Sequence, residues 1–259
     1  MDLAAQSDAS LVDSILAMAG WQDGARVVRD RGVLVIVGKS RFPTPYSNAA
    51  LCISEEATPE LLLDVAAREL SDRRYFVWGN GADGGDLGRL ALRHGFLPSG
   101  HAPAMVIERP PEPSRAPGIT VEPVKTAAQF EAFVEVSSRA WVEYGLPDPV
   151  LRTLLARADR VIRSCASVAV ARIDGRAVAA ALSILSPGSK LGGVYWVGTV
   201  PEARRRGAAD AVTRFVTRAA FRSGASIVAL EASRAGEPVY LKMGYREVGR
   251  YARFLSPPP

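Results

Sequence analysis

The stretch VGTVPEARRRGAADAV, Val197–Val212, decides how this chain is read, because it takes a β-strand directly into a helix through a turn rich in arginine and small residues. The run Val194–Val200 is β-branched and aromatic, which predicts a strand. Pro201 and Glu202 stand where a helix favours an early proline and acid, and Ala208, Ala211, Val212, Phe215, Val216 and Ala219 repeat at helical spacing up to Gly224. On this reading Arg205, Arg206, Gly207, Ala208 and Ala209 build the first helical turn. A helix N-terminus has unpartnered N–H groups and a partial positive charge, so it suits an anion. Gly207 and the two alanines leave room for a diphosphate to approach the backbone, while Arg204, Arg205 and Arg206 add charge. An isolated Arg triplet is ordinarily a solvated turn; the flanking strand and helix argue for more.

No Gly-Lys-Ser/Thr follows the glycine and no Gly-x-Gly-x-x-Gly is present, so neither a Walker loop nor a dinucleotide fingerprint accounts for it. The hexapeptide Arg204-Arg205-Arg206-Gly207-Ala208-Ala209 resembles the Arg/Gln-x-x-Gly-x-Gly/Ala signature of the GCN5-related N-acetyltransferase (GNAT) superfamily, with alanine at the last small position. Downstream, Ala225–Leu255 reads as a buried strand at Ile227–Leu230, a loop, a short helix at Pro238–Met243 stopped by Gly244, and a long final strand. That order is similar to the second half of the family's fold. Upstream lie a strand at Thr120–Pro123, a helix from about Thr126 to Tyr144, a second from Pro149 to Ala158, and a hairpin of Ser167–Ile173 and Ala177–Leu185 turning at Asp174-Gly175.

The resemblance implies acetyl-CoA as donor and a primary amine as acceptor, joined in a ternary complex. The backbone of Val197, Gly198 and Thr199 would pair with the pantetheine arm in a V between split strands, and Arg204 through Asp210 would hold the pyrophosphate, with Ser233 also on the cofactor side. It further implies Tyr240, four residues before Gly244-Tyr245, as the acid that protonates the departing sulfur. Glu231, at the end of the preceding strand, matches the base of members that acetylate protein amino termini, although the loop between the two residues is shorter here. Glu143 is the reserve base. A backbone N–H near Thr199 would meet the oxyanion. The loop Arg139–Pro149 would line the acceptor site, where Trp141, Glu143, Tyr144, Tyr195 and Trp196 suit an amine on an apolar or aromatic body; core packing is the ordinary alternative for the tryptophans.

Bulk properties set the frame. The chain has 259 residues, of which 48% are apolar, enough for one large or two modest domains. The apolar stretch Leu11–Gly20 is short for a signal peptide, contains Asp13 and lacks a basic leader, and no run is long enough for a membrane span, so the expectation is a cytoplasmic protein without membrane attachment. Cys52 and Cys165 are expected as buried thiols without chemistry, and His94 and His101 have no companions at metal spacing, so no metal is expected. The net charge of +5 comes from arginines scattered along the chain, which argues against a nucleic-acid partner. Monomer and homodimer both remain open.

Prolines at 110, 111, 113 and 117 place a connector at 109–118, between a first half (1–108) and a catalytic second half (119–259). The first half reads as a worn copy of the second. Tyr75–Phe96 parallels Ile227–Tyr245, but Ala91 stands where the second half has Tyr240, and Gly79 stands opposite Glu231. Thr58-Pro59-Glu60-Leu61-Leu62-Leu63 opens the helix that would correspond to the cradle, and it has neither the arginines nor the glycine. The expected fold class is therefore α/β (α+β): two GNAT-like halves, each a mixed, mostly antiparallel sheet flanked by helices, with the second complete. A non-catalytic acyl-CoA-binding sensor is the alternative function.

Overall fold

The computed structural model describes residues 2–186 and 188–259. The first half runs α1 (Leu3–Gly20), β1 (Arg26–Asp30), β2 (Val33–Val37), β3 (Asn48–Cys52), α2 (Pro59–Glu69), β4 (Phe76–Asn80), α3 (Gly85–Arg93) and β5 (Leu97–Ile107). The second runs β6 (Ile119–Pro123), α4 (Ala127–Trp141), α5 (Asp148–Leu154), α6 (Ala158–Ser164), β7 (Cys165–Ile173), β8 (Arg176–Leu185), β9 (Leu191–Thr199), α7 (Ala208–Arg222), β10 (Ile227–Glu231), α8 (Glu237–Met243) and β11 (Arg246–Leu255). Both contain the succession antiparallel hairpin, parallel strand pair, short helix, long last strand. The hairpins turn where positive φ is needed, at Arg31-Gly32 and at Asp174-Gly175. The Thr126–Gln129 capping box starts α4.

All the strands form one 11-stranded sheet in the order β1-β2-β3-β4-β11-β5-β10-β9-β8-β7-β6. The last strands are exchanged. β5 follows β4 in sequence yet pairs with β10, while β11 follows β10 and lies between β4 and β5. The cores interlock accordingly. Ala252 and Phe254 of β11 pack in the cluster under α2 and α3, whereas Met105 and Ile107 of β5 join the large cluster of the second half. The Pro-rich segment lies along α7, where Arg214 and Arg218 donate to the carbonyls of Glu112 and Pro111 at 3.0 and 2.8 Å.

Three local expectations are corrected. The helix expected from Pro149 to Ala158 stops at Leu154, where Leu155 closes it, and a further helix not expected from the sequence, α6, opens after Arg157. The arginine triplet is not helical, since Pro201–Ala203 forms a separate 3-10 turn and α7 starts only at Ala208. Neither cysteine is fully buried: Cys52 ends β3 at its exposed end and Cys165 is half-buried at the start of β7. Among the described residues no helix is long and apolar enough to cross a membrane, and α1 instead buries Leu11, Ile15 and Met18 against the sheet.

Candidate functional site

The site starts where two parallel strands part. β9 and β10 pair from Leu191/Ile227 to Gly193/Ala229, after which β9 continues to Thr199 and β10 to Glu231 without pairing to each other. A bulge in β9 opposite Ala180–Leu182 goes with a positive φ of 56° at Trp196 and turns this end of the strand outward. Gly198 permits close approach of α4, because a Cβ there would lie 2.7 Å from that of Ala140.

Beyond β9 the chain forms the cradle. Arg205 and Gly207 adopt φ of 62° and 87°, and α7 begins with no side chain capping its N-terminus. The turn and the uncapped first N–H groups make a concavity of donors. Small side chains at Ala208 and Ala209 keep it open, and these residues, together with Val197, Gly198, Thr199, Arg204, Arg205, Gly207, Asp210 and Ser233, line one cavity of about 840 Å³. The arginines are not equivalent. Arg204 is occupied by the Thr199 carbonyl at 3.3 Å and by Glu143 at 2.7 Å, Arg205 lines the cavity, and Arg206 is exposed and outside its wall. The Asp210 carboxylate is held by Arg214 at 2.9 Å, leaving its backbone as the part available to a ligand. A diphosphate-bearing acyl-CoA fits this uncapped, positively polarised start of a helix.

Glu231 and Tyr240 line the same cavity. Glu231 is half-buried, and Tyr46 Oη donates to its Oε2 at 2.6 Å. Burial raises the Glu231 carboxyl above its ordinary range, opposed by hydrogen bonds from Tyr46 and Tyr195 and by the charge of Arg253. Tyr240 is buried on α8 with its ring against Gly236, where a Cβ would lie 2.8 Å from the ring. Burial and the nearby Tyr144 raise its hydroxyl pKa, so it remains protonated at neutral pH. Cavity faces of Trp141, Tyr144, Tyr195 and Trp196 form an aromatic wall, with the two tryptophan rings 5.9 Å apart and edge to face. Glu143 is placed elsewhere: it is exposed, does not line the cavity, and its carboxylate is engaged by Arg204.

The first half supplies wall residues that the sequence reading did not assign. Met18, Trp21 and Gln22 enter from the end of α1, and the loop Phe42–Ser47 lies across the cavity. Buried Asn48 holds that loop by donating to the carbonyls of Ser40 and Phe42, each at 2.8 Å, while Trp78 Nε1 donates to the Pro45 carbonyl at 2.8 Å. Tyr46 thereby reaches Glu231 from 185 positions away. Only the aromatic character of Phe42 and Tyr46 between two strands could have hinted at this.

An acetyltransferase (GNAT) domain model matches residues 113–245, ending just before the exchanged strand β11. Among solved structures, a GCN5-related N-acetyltransferase from Kribbella flavida superposes with a TM-score of 0.73 at 18% identity, over 99% of this chain and 96% of its own. A GCN5-related N-acetyltransferase from Sphaerobacter thermophilus gives 0.66 at 17% identity, covering 97% and 93%. A tandem GNAT protein from the clavulanic acid biosynthesis pathway gives 0.59 at 13% identity, covering 97% and 96%. No curated protein matches.

Proposed function

This chain belongs to the acetyltransferase (GNAT) family, and on that premise we propose that it moves an acetyl group from acetyl-CoA to a primary amine, within a complex that holds both reactants. The observation that carries the reading is the meeting, in one cavity, of the uncapped start of α7, the parted ends of β9 and β10, a carboxylate raised by burial and a protonated tyrosine. When bound, acetyl-CoA supplies an activated acetyl thioester. Backbone N–H groups at Gly207–Asp210 and the Arg205 side chain hold its diphosphate, with charge-assisted hydrogen bonds worth about 1.5–3 kcal/mol each.

An amine is protonated near neutral pH and must lose its proton to attack. Glu231 Oε takes that proton, and its raised pKa brings it nearer to neutrality than an exposed glutamate. The hydrogen bond from Tyr46 keeps the carboxylate oriented. Tyr240 Oη keeps its proton until the leaving sulfur needs it, and Ser233 and Val197–Thr199 position the donor between the strands. The small-molecule or peptide amine approaches along the aromatic wall and under the Phe42–Ser47 loop.

Calorimetric titration with acetyl-CoA, followed by a thiol-release screen of amines, tests this. Saturable binding and amine-dependent release are expected. Binding without release across the screen would replace the enzyme with an acyl-CoA sensor; no binding would remove both readings.

A further inference from the structure

The face of the sheet that carries Glu231 also carries Arg253 of β11, the strand that crosses into the first half, and both line the cavity. Arg253 lies over the Trp78 indole with its guanidinium carbon 5.5 Å from the ring centroid. Among the described residues it makes no ion pair and no hydrogen bond, and its buried Nε has no partner. A guanidinium carries five donors, and the one on Nε is withdrawn from water without a partner, which is unfavourable. Its field reaches Glu231, whose carboxyl it helps to hold down, yet the two charges do not pair. Thr44 Oγ1 of the same cavity lining is buried and unpartnered, and Ser99 lines the cavity as well. The cavity therefore presents a negative group and a separated positive group whose Nε is unpartnered.

Resting on the acetyltransferase reading above, we propose that the acceptor is an amine that also bears a carboxylate, its ammonium facing Glu231 and its carboxylate bound by Arg253 with help from Thr44. A zwitterion neutralises both charges. A phosphate dianion would leave excess negative charge beside Glu231, and a simple amine would leave Arg253 unpaired. The planar guanidinium suits a carboxylate, which it can grip with two N–H groups at once. The aromatic wall beside it favours an apolar or aromatic side chain between the two charged ends.

The test is equilibrium binding of the full chain to a panel of α-amino acids and dipeptides, each paired with its carboxamide, using wild type, Arg253→Gln and Arg253→Lys. Acetyl-CoA is titrated in parallel, and melting curves check the fold. Wild type is expected to bind at least one acid roughly 10–100-fold tighter than its amide. Arg253→Gln should abolish that ratio while keeping acetyl-CoA affinity, and Arg253→Lys should restore part of it. Differences in amine basicity cancel, because each pair is compared across proteins. Absence of an acid preference anywhere in the panel, or a preference that survives Arg253→Gln, overturns the proposal. Loss of acetyl-CoA binding by wild type would instead overturn the acetyltransferase reading, and the acid-to-amide ratio would still report on Arg253.

Discussion

The two halves repeat one succession of elements, and they differ at the places where a ligand would have to enter. In the second half α7 starts without a cap, after a glycine at positive φ. In the first half the corresponding α2 is capped by Thr58, whose hydroxyl accepts from Leu61 N at 3.2 Å, and is followed by Leu61, Leu62 and Leu63. The parallel pair β9 and β10 parts beyond Gly193 and Ala229, while β3 ends one residue after its last pairing with β4. Opposite Glu231 stands Gly79, where a Cβ would come within 2.8 Å of Gly84 Cα, and Gly84 and Gly88 leave room for the Phe254 ring. The first half is thus packed shut with backbone and β11 side chains. A site on this scaffold needs diverging strands and unsatisfied N–H groups together, and one half has both.

The largest expected effect tests the cradle itself. Gly207→Glu should lower acetyl-CoA affinity by on the order of 100-fold or more, because it sets a negative charge at the start of α7 beside the diphosphate position, while its Cβ would press on that of Ala116 at 3.1 Å. Gly207→Ala has the same strained φ, at about 1–2 kcal/mol of stability, without the charge, so the two titrations separate repulsion from strain. Equal affinities for these two variants would break the contrast between α7 and α2.

Tyr240→Phe should reduce kcat about 100-fold with little change in acetyl-CoA affinity, as loss of a general acid does. The corresponding position in the first half, Ala91, is fully buried in an apolar cluster. Unchanged kcat would leave the tyrosine as packing, like its counterpart.

A subtler prediction asks whether the first half merely covers the site. Turnover requires the ionised Glu231, so it should fall as pH drops through its raised pKa, and Glu231→Gln should remove that acid limb. Tyr46→Phe deletes a hydrogen bond that favours the ionised carboxylate, so the limb should move to higher pH, with a loss of roughly threefold to tenfold in kcat/KM near neutrality. An unmoved profile would confine the first half to covering the site.

The smallest effect belongs to the closed half. Thr58→Ala should lower stability by about 1 kcal/mol through loss of the cap, seen as a Tm about 2–4 °C lower, with acetyl-CoA binding unaltered. A change in binding would mean that α2 communicates with the cradle.

Much of the site was legible in the chain because its signals are local. Gly207 and the small residues after it follow from spacing within a few residues, Tyr240 and Glu231 from the resemblance that those local motifs carry, and all line the cavity. The same locality misled at Glu143, whose acid next to aromatics suggested a pocket group, whereas Arg204, in a different loop, engages it. It misled again at the arginine triplet, where the helical pattern of Ala208–Ala219 was extended too far back; positive φ at Arg205 excludes helix there. Tyr46 and Arg253 could not be found in this way, because what gives each its environment is far along the chain: Glu231 is 185 positions from Tyr46, and the Trp78 ring under Arg253 belongs to the first half.

By itself, then, the sequence determined the order of elements and the cradle, since short-range periodicity, capping and turn chemistry are encoded in neighbouring residues, and it pointed to the candidate acid and base through its resemblance to the family. The tertiary structure alone decided that β5 and β11 change places, that a loop of the first half covers Glu231, and that Arg253 shares its sheet face and its cavity. The physical reason is that an apolar strand with alternating faces satisfies its hydrogen bonds equally well beside either of two similar neighbours. Which one it takes is settled by how the two cores pack together, and that choice brings distant charges into one cavity.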